Sequence, residues 1–334
     1  MKWCKQIVEA VLFEKEVPHS LSNRNIQSGS LKLFKRATQS EDEIIYVPIV
    51  DYIVKEQDGI IQRTKDSRIP DWSQHIFYGQ QRFDQTGLND YSNEPFTLYA
   101  DYYYLGDMDA VENANAPTIE VVLPVCSARH LAGEPIVYVV YGDSISTGAE
   151  ASQQRYAYSY LLYESLKKSF SNSPVHYEMK ALGGETSKGG LNRLADDVTA
   201  LNPQLVTIGY GMNDQNRLQP HSNDVPVEQF EGNIRQMVES LRTQAQTDII
   251  LVTPCAPNPL WKFSSGEIGQ YAEILRVIGK EYEIPVADAY AVWMEQIEAG
   301  KTYESLLLNN INHPNDYGHS IYFRSFERLW QSRL

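Results

Sequence analysis

Cysteine is scarce in this chain of 334 residues: Cys4, Cys126 and Cys255 are odd in number and widely spaced, which excludes a disulfide framework and a cysteine-built zinc cluster. The histidines give no metal signature either. His19, His75, His130, His176 and His221 fall at no metal-ligand spacing, so no metal and no other cofactor is expected. Positive charge is also in short supply. Lys and Arg number 29 against 43 Asp and Glu, a net charge of −14 that repels phosphate backbones and anionic membrane surfaces and argues against nucleic acid and membrane as partners. Long apolar runs are missing: none approaches the roughly 20 residues of a membrane span. The stretch Met1-Lys2-Trp3-Cys4-Lys5-Gln6-Ile7-Val8-Glu9 lacks an apolar core of signal-peptide length, and the expectation is a soluble cytoplasmic protein. Oligomeric state leaves no readable trace.

What is present changes character along the chain. As far as about Pro124, short β-forming runs (43–52, 59–63, 96–104 and 118–123) are broken by Asp, Asn, Gly and Ser clusters, with little helical periodicity. This pattern predicts a β-sandwich or jelly-roll-like module over residues 1–128, with a connector around 126–134. From residue 129 onward, apolar runs at 136–141, 175–182, 205–210, 249–253 and 285–289 alternate with amphipathic segments at 156–169, 190–201, 227–244, 267–281 and 290–298, and a last helix is expected over 316–330. Short, almost unbroken apolar strands alternating with helices mark an α/β domain with a parallel sheet covered on both faces.

Ligands of such sheets bind beyond the carboxyl ends of the strands. Three polar segments fall there: Gly142-Asp143-Ser144 after the first strand, Gly183-Gly184 after the second, and Gly211-Met212-Asn213-Asp214 after the third. A serine hydroxyl needs a base to become a nucleophile, and His313, in the only His-Pro pair of the chain, is the candidate. A tetrahedral intermediate needs preorganised donors for its oxyanion, and the N–H groups of Ser144 and Gly184 and the amide of Asn213 are of the right type. The bland alternatives are turns and helix caps. Asp143 and Asp214 read as braces of their loops, Gly183 as backbone geometry, and His319 as a packing residue of the last helix.

Gly142-Asp143-Ser144-Ile145, Gly183-Gly184-Glu185-Thr186, Gly211-Met212-Asn213-Asp214 and His313-Pro314-Asn315 with Gly318-His319 together resemble the ordered blocks of the SGNH (GDSL-like) hydrolases. The resemblance covers Ile136 to the C-terminus. It implies a three-layer α/β/α fold, no metal, Ser144 as nucleophile, His313 as base, and an oxyanion hole from Ser144, Gly184 and Asn213. One position departs from the family pattern. Asn310 stands where an Asp usually precedes the histidine by three residues, so the expectation is a Ser-His dyad, or a triad in which Asn310 or a backbone carbonyl orients the ring.

A β-rich module ahead of such a domain is similar to the two-domain carbohydrate acetylesterases, which makes a serine esterase acting on short acyl esters, above all acetyl groups on oligosaccharides, the leading expectation. The 22 tyrosines and 5 tryptophans suit stacking on sugar rings. Trp261, in the loop after the fourth strand of the parallel sheet, is the candidate for the substrate pocket, against a reading as a local packing residue; Tyr102, Tyr103 and Tyr104 read as ordinary strand residues. The alternatives are a lipase, thioesterase or acyltransferase of the same fold, and a non-catalytic carbohydrate-binding protein.

Overall fold

Seven short strands open the chain in a computed structural model that describes residues 1–36, 42–106, 117–218, 223–244 and 246–330; His221 lies outside the described residues. They are β1 (Lys2–Val11), β2 (His19–Ser20), β3 (Lys32–Arg36), β4 (Glu43–Tyr46), β5 (Tyr52–Lys55), β6 (Ile60–Arg63) and β7 (Leu98–Gly106). β1, β7, β3 and β4 pair in that order in one antiparallel sheet, and β2, β6 and β5 in another. Side chains alternate across a strand, and this divides the first sheet cleanly. Val11, Leu33 and Leu98 join Tyr52 and Ile61 of the second sheet in one core, whereas Ala10, Phe34 and Tyr99 face the C-terminal layers. The run expected over 43–52 is two strands. Asp51 accepts from Val47 N–H (2.8 Å), and Ile49 adopts φ 71, so the chain turns between them.

Two expectations on the connecting stretch are corrected. Residues 119–122 form a short helix, α1 (Ile119–Val122), in place of the strand expected over 118–123, and residues 124–132 form α2 (Pro124–Ala132) in place of a connector. Pro124 starts α2 with its φ already helical, and Gly133 ends it in the left-handed conformation at φ 68. The free N–H groups at the start of α2 bond the Asp248 carboxylate, Val125 at 3.2 Å and Cys126 at 2.9 Å. The partner lies more than a hundred residues away, which is why local sequence does not announce this helix. Cys126 is buried in the core that holds β8 and its covering helices, so α2 packs against the parallel sheet.

The rest is a parallel sheet between helices. β8 (Ile136–Gly142), α3 (Ser144–Thr147), α4 (Tyr158–Ser169), β9 (Val175–Met179), α5 (Ser187–Asp197), β10 (Leu205–Gly209), α6 (Val227–Gln244), β11 (Asp248–Val252), α7 (Ile268–Tyr282), β12 (Val286–Ala287), α8 (Ala289–Glu298), α9 (Tyr303–Leu306) and α10 (Asp316–Glu327) follow in order. The strands pair β12-β11-β10-β8-β9, all parallel. Tyr138 and Val140 of β8 pack with Leu162 of α4, Trp293 of α8 and Tyr322 of α10; Val139 and Tyr141 pack with Leu194 of α5, Phe230 of α6 and Leu275 of α7. Both faces are therefore dry, and the architecture is three-layer α/β/α with a β-rich module ahead of it.

The module and the layers share buried polar contacts. Glu9 of β1 pairs with Lys301, both buried, and Arg36 Nη1 of β3 lies 2.8 Å from Asp316 Oδ2 at the start of α10. Among the described residues, no helix is long and apolar enough to cross a membrane.

Candidate active site

The position of Ser144 follows from how β8 ends. A Cβ at Gly142 would lie 2.4 Å from both Gly209 O and Ser146 Oγ, so only glycine lets β8 turn this close to β10. Asp143 then caps α3, its carboxylate accepting from Ile145 N–H at 2.9 Å. Burial pushes the Asp143 carboxyl up to about 7, and the nearby Asp214 charge adds to the effect. Ser144 is the first residue of α3, so its own N–H is one of the helix donors left without an intrahelical acceptor. Its Oγ lies 2.8 Å from His313 Nε2, across 169 residues of chain.

His313 sits on a tight loop built by asparagines. Asn309 Oδ1 accepts from the N–H groups of Ile311, Asn312 and His313, each at 2.9 Å, and Leu308 N–H closes the loop onto His313 O at 2.9 Å. The expectation for Asn310 is corrected. Asn310 adopts φ 60, and its side-chain oxygen accepts from Asn93 Nδ2 and Asn258 Nδ2, each at 3.2 Å, instead of from the imidazole. Asn310 thus ties the histidine loop to the N-terminal module and to the loop after β11. The ring nitrogen turned away from Ser144, Nδ1, faces Glu150 Oε1 at 4.0 Å. Nothing in the sequence marks Glu150, because a carboxylate six residues after a serine matches no spacing rule.

The two other loops lie at the same sheet edge and are pinned to each other. Gly184 adopts φ 75, a conformation that favours glycine, in an exposed turn closed by Glu185 N–H to Leu182 O at 3.4 Å. Asn213 donates one Nδ2 hydrogen to Glu185 O at 3.0 Å, which leaves its second hydrogen for another acceptor. Asp214 receives Ser187 N–H at 2.9 Å and Gly211 N–H at 3.1 Å, and burial pushes its carboxyl up to about 6 against the pull of these donors. Glu185 is held in turn by Arg193 and by Tyr210 Oη at 2.7 Å. His319 is fully buried, with Nε2 3.1 Å from Ala149 O and Nδ1 3.4 Å from Tyr158 N; burial lowers its pKa to about 4, so the ring is neutral and supports the turn that follows α3.

Residues 140–321, more than half of the chain, match the model of the GDSL-like lipase/acylhydrolase family. The chain belongs to this family. It is a carboxylic ester hydrolase of the GDSL-like (SGNH) type. A search of curated protein sequences finds no match. Among solved structures, the chain is similar to Axe2, an acetylxylan esterase from Geobacillus stearothermophilus, at 23% identity and a TM-score of 0.50 over 60% of this chain and 99% of that one. It is also similar to a two-domain esterase (CEX) active on acetylated mannans, co-crystallised with mannopentaose, at 22% identity and a TM-score of 0.50 over 64% of this chain and 54% of that one. At these identities the likeness is one of fold. The catalytic mutants of Axe2 replace a serine, a histidine and an aspartate three residues before that histidine; the GDSL-like hydrolase described here has Asn310 at the corresponding spacing.

Trp261 of this GDSL-like hydrolase is a packing residue. Its ring is 6% exposed, clusters with Phe77, Phe83 and Ile311, and donates Nε1–H to Gln85 Oε1 at 2.8 Å, so it offers no open face to a sugar. A separate cleft of about 500 Å³ opens between the β module and the α/β layers, lined by Trp72, Phe83, Leu260, Glu304 and Asn310 among others. Neither Ser144 nor His313 lines it. Among the described residues, no group of three or more His, Cys, Asp or Glu is placed to hold a metal ion, and all three cysteines are free thiols.

Proposed function

We propose that this hydrolase removes short acyl groups, above all acetyl, from oligosaccharides through a covalent acyl-enzyme on Ser144. The observation that carries the reading is the 2.8 Å contact between Ser144 Oγ and His313 Nε2. In the proposed cycle, Oγ attacks the acyl carbonyl while Nε2 takes its proton. The carbonyl oxygen becomes an oxyanion, which the N–H of Ser144, the N–H of Gly184 and the unspent Nδ2 hydrogen of Asn213 receive. Collapse expels the sugar hydroxyl with the proton from His313. Water, deprotonated by the same nitrogen, then attacks the acyl-enzyme and frees the acid and Ser144.

The substrate class rests on two supports. The site is open: Gly183 and Gly184 are exposed, His313 and Asn213 half-buried, and the space where a Gly184 side chain would lie is empty, which suits a bulky polar leaving group better than a long acyl chain. The similar folds described as acetylxylan and acetylmannan esterases point the same way. A bonded Ser-His pair also counts against the non-catalytic carbohydrate-binding alternative.

The test compares rates on aryl acetate, butyrate and octanoate, together with acetate release from acetylated xylan, mannan and chitin oligomers. The expected result is fastest turnover of the acetate and measurable release from at least one oligomer. A maximum at eight carbons would replace this reading with a lipase-like one.

A further inference from the structure

We propose that Glu150 is the carboxylate that positions His313, replacing the acid this family usually places three residues before the histidine, and that the N-terminal module holds it in place. The proposal rests on the Ser144–His313 reading of the site. Imidazole Nδ1 faces Glu150 Oε1 at 4.0 Å, and catalytic hydrogen bonds of unliganded enzymes often tighten only when substrate binds. The usual position is taken out of play, because the oxygen of Asn310 is occupied by Asn93 and Asn258. The new acid comes from the turn that directly follows the nucleophile's own helix, so both partners of His313 ride on one segment.

That segment is fixed in an uncommon backbone shape. Glu150 adopts φ 66 without being glycine, a left-handed conformation that persists only where the surroundings determine it. They do so on both sides of it. Before it, Ala149 N–H bonds Ser144 O at 3.0 Å, and Ala149 O receives His319 Nε2–H at 3.1 Å. After it, Ser152 N–H and Oγ–H both donate to the Asp316 carboxylate at 2.7 Å. Asp316 is paired with Arg36 of β3, whose guanidinium also lies 4.4 Å from the Tyr156 ring centre. The chain of contacts Arg36–Asp316–Ser152 therefore runs from the β module to the residue two positions after Glu150. The module acts as a brace for the catalytic turn.

The experiment measures kcat and KM for an aryl acetate across pH with Glu150→Gln, Glu150→Asp and Arg36→Gln, the last alone and combined with Glu150→Gln. Loss of the charge beside the imidazolium that forms in the transition state is expected to lower kcat about 10- to 100-fold with KM little changed, and to move the acid limb of the kcat/KM profile to lower pH. Glu150→Asp is expected to recover part of kcat. Arg36→Gln is expected to lower kcat in the parent but to add nothing in the Glu150→Gln background, as two residues acting through one path require. If Arg36→Gln does not fold, Ser152→Ala tests the same coupling with less disruption.

Unchanged kcat and pH profile in Glu150→Gln, beside an inactive Ser144→Ala enzyme, would overturn the role of Glu150 and leave the nucleophile standing. Additive losses in the double variant would overturn the brace. Full activity in Ser144→Ala would instead bring down the reading on which both rest.

Discussion

Ser144 Oγ and His313 Nε2 lie 2.8 Å apart although one follows the first strand of the parallel sheet and the other sits on a loop just ahead of the last helix. On the proposed reading this hydroxyl, bonded to the imidazole, is the nucleophile, and neither residue acts without the other. Ser144→Ala, His313→Ala and the double variant are therefore expected to lose similar amounts of kcat, on the order of 10⁴- to 10⁶-fold each, because residues that act as a unit are far from additive. Single-turnover and steady-state rates on an aryl acetate check this. A double variant much slower than either single one would contradict it.

Asn213 is expected to matter for kcat and little for KM. Its free Nδ2 hydrogen would meet the oxyanion only in the transition state, so Asn213→Ala should slow kcat about 10²- to 10³-fold. The same variant unties Glu185 O, and a melting temperature close to the parent's would show that the loss is one of chemistry rather than of loop order.

Turnover should not rise in Asn310→Asp. The side chain points to Asn93 and Asn258, and Asn258 also bonds Glu304 at 3.3 Å. A carboxylate here would be buried beside another acid with only amide donors, so the expected outcome is lower stability at neutral pH and no gain in rate. A many-fold gain would mean that the histidine loop rearranges to bring residue 310 to the ring.

The buried carboxyls give the fold a pH dependence with a definite sign. Asp143 is raised to about 7 and Asp214 to about 6, both above their unfolded values, so the native state holds more protons than the unfolded chain between pH ~4 and ~7 and these groups lose stability as pH rises through that window. His319, lowered to about 4, acts in the opposite sense below its unfolded value. Asp143→Asn keeps the acceptor for Ile145 N–H and removes the buried charge. Its melting temperature is expected to exceed the parent's more at pH 8 than at pH 5. An equal difference at both would place the titration elsewhere.

The sequence made the sheet legible because its central strands β8, β10 and β11 are almost wholly buried, mainly apolar runs, and it made Ser144, Gly184, Asn213 and His313 legible because each follows a strand run or stands in a distinctive pair. The order of the loops then places them at one edge. What escaped depends on partners far along the chain. α2 needs Asp248 at its first turn, and without that partner the stretch from Cys126 reads as connector. Trp261 is claimed by Phe83 and Gln85 of the N-terminal module, so an aromatic at the right edge still does not face the site. Asn309, next to the residue that drew attention, organises the histidine loop with three backbone bonds that no pattern of side-chain types reveals.

The central claim is that Ser144 carries the acyl group. Its most direct test is treatment with an aryl fluorophosphonate, followed by peptide mass spectrometry. The expected result is one adduct, on the peptide containing Ser144, formed slowly or not at all in His313→Ala and absent from Ser144→Ala. Labelling of a different residue, or an adduct that survives in Ser144→Ala together with esterase activity, would contradict the account.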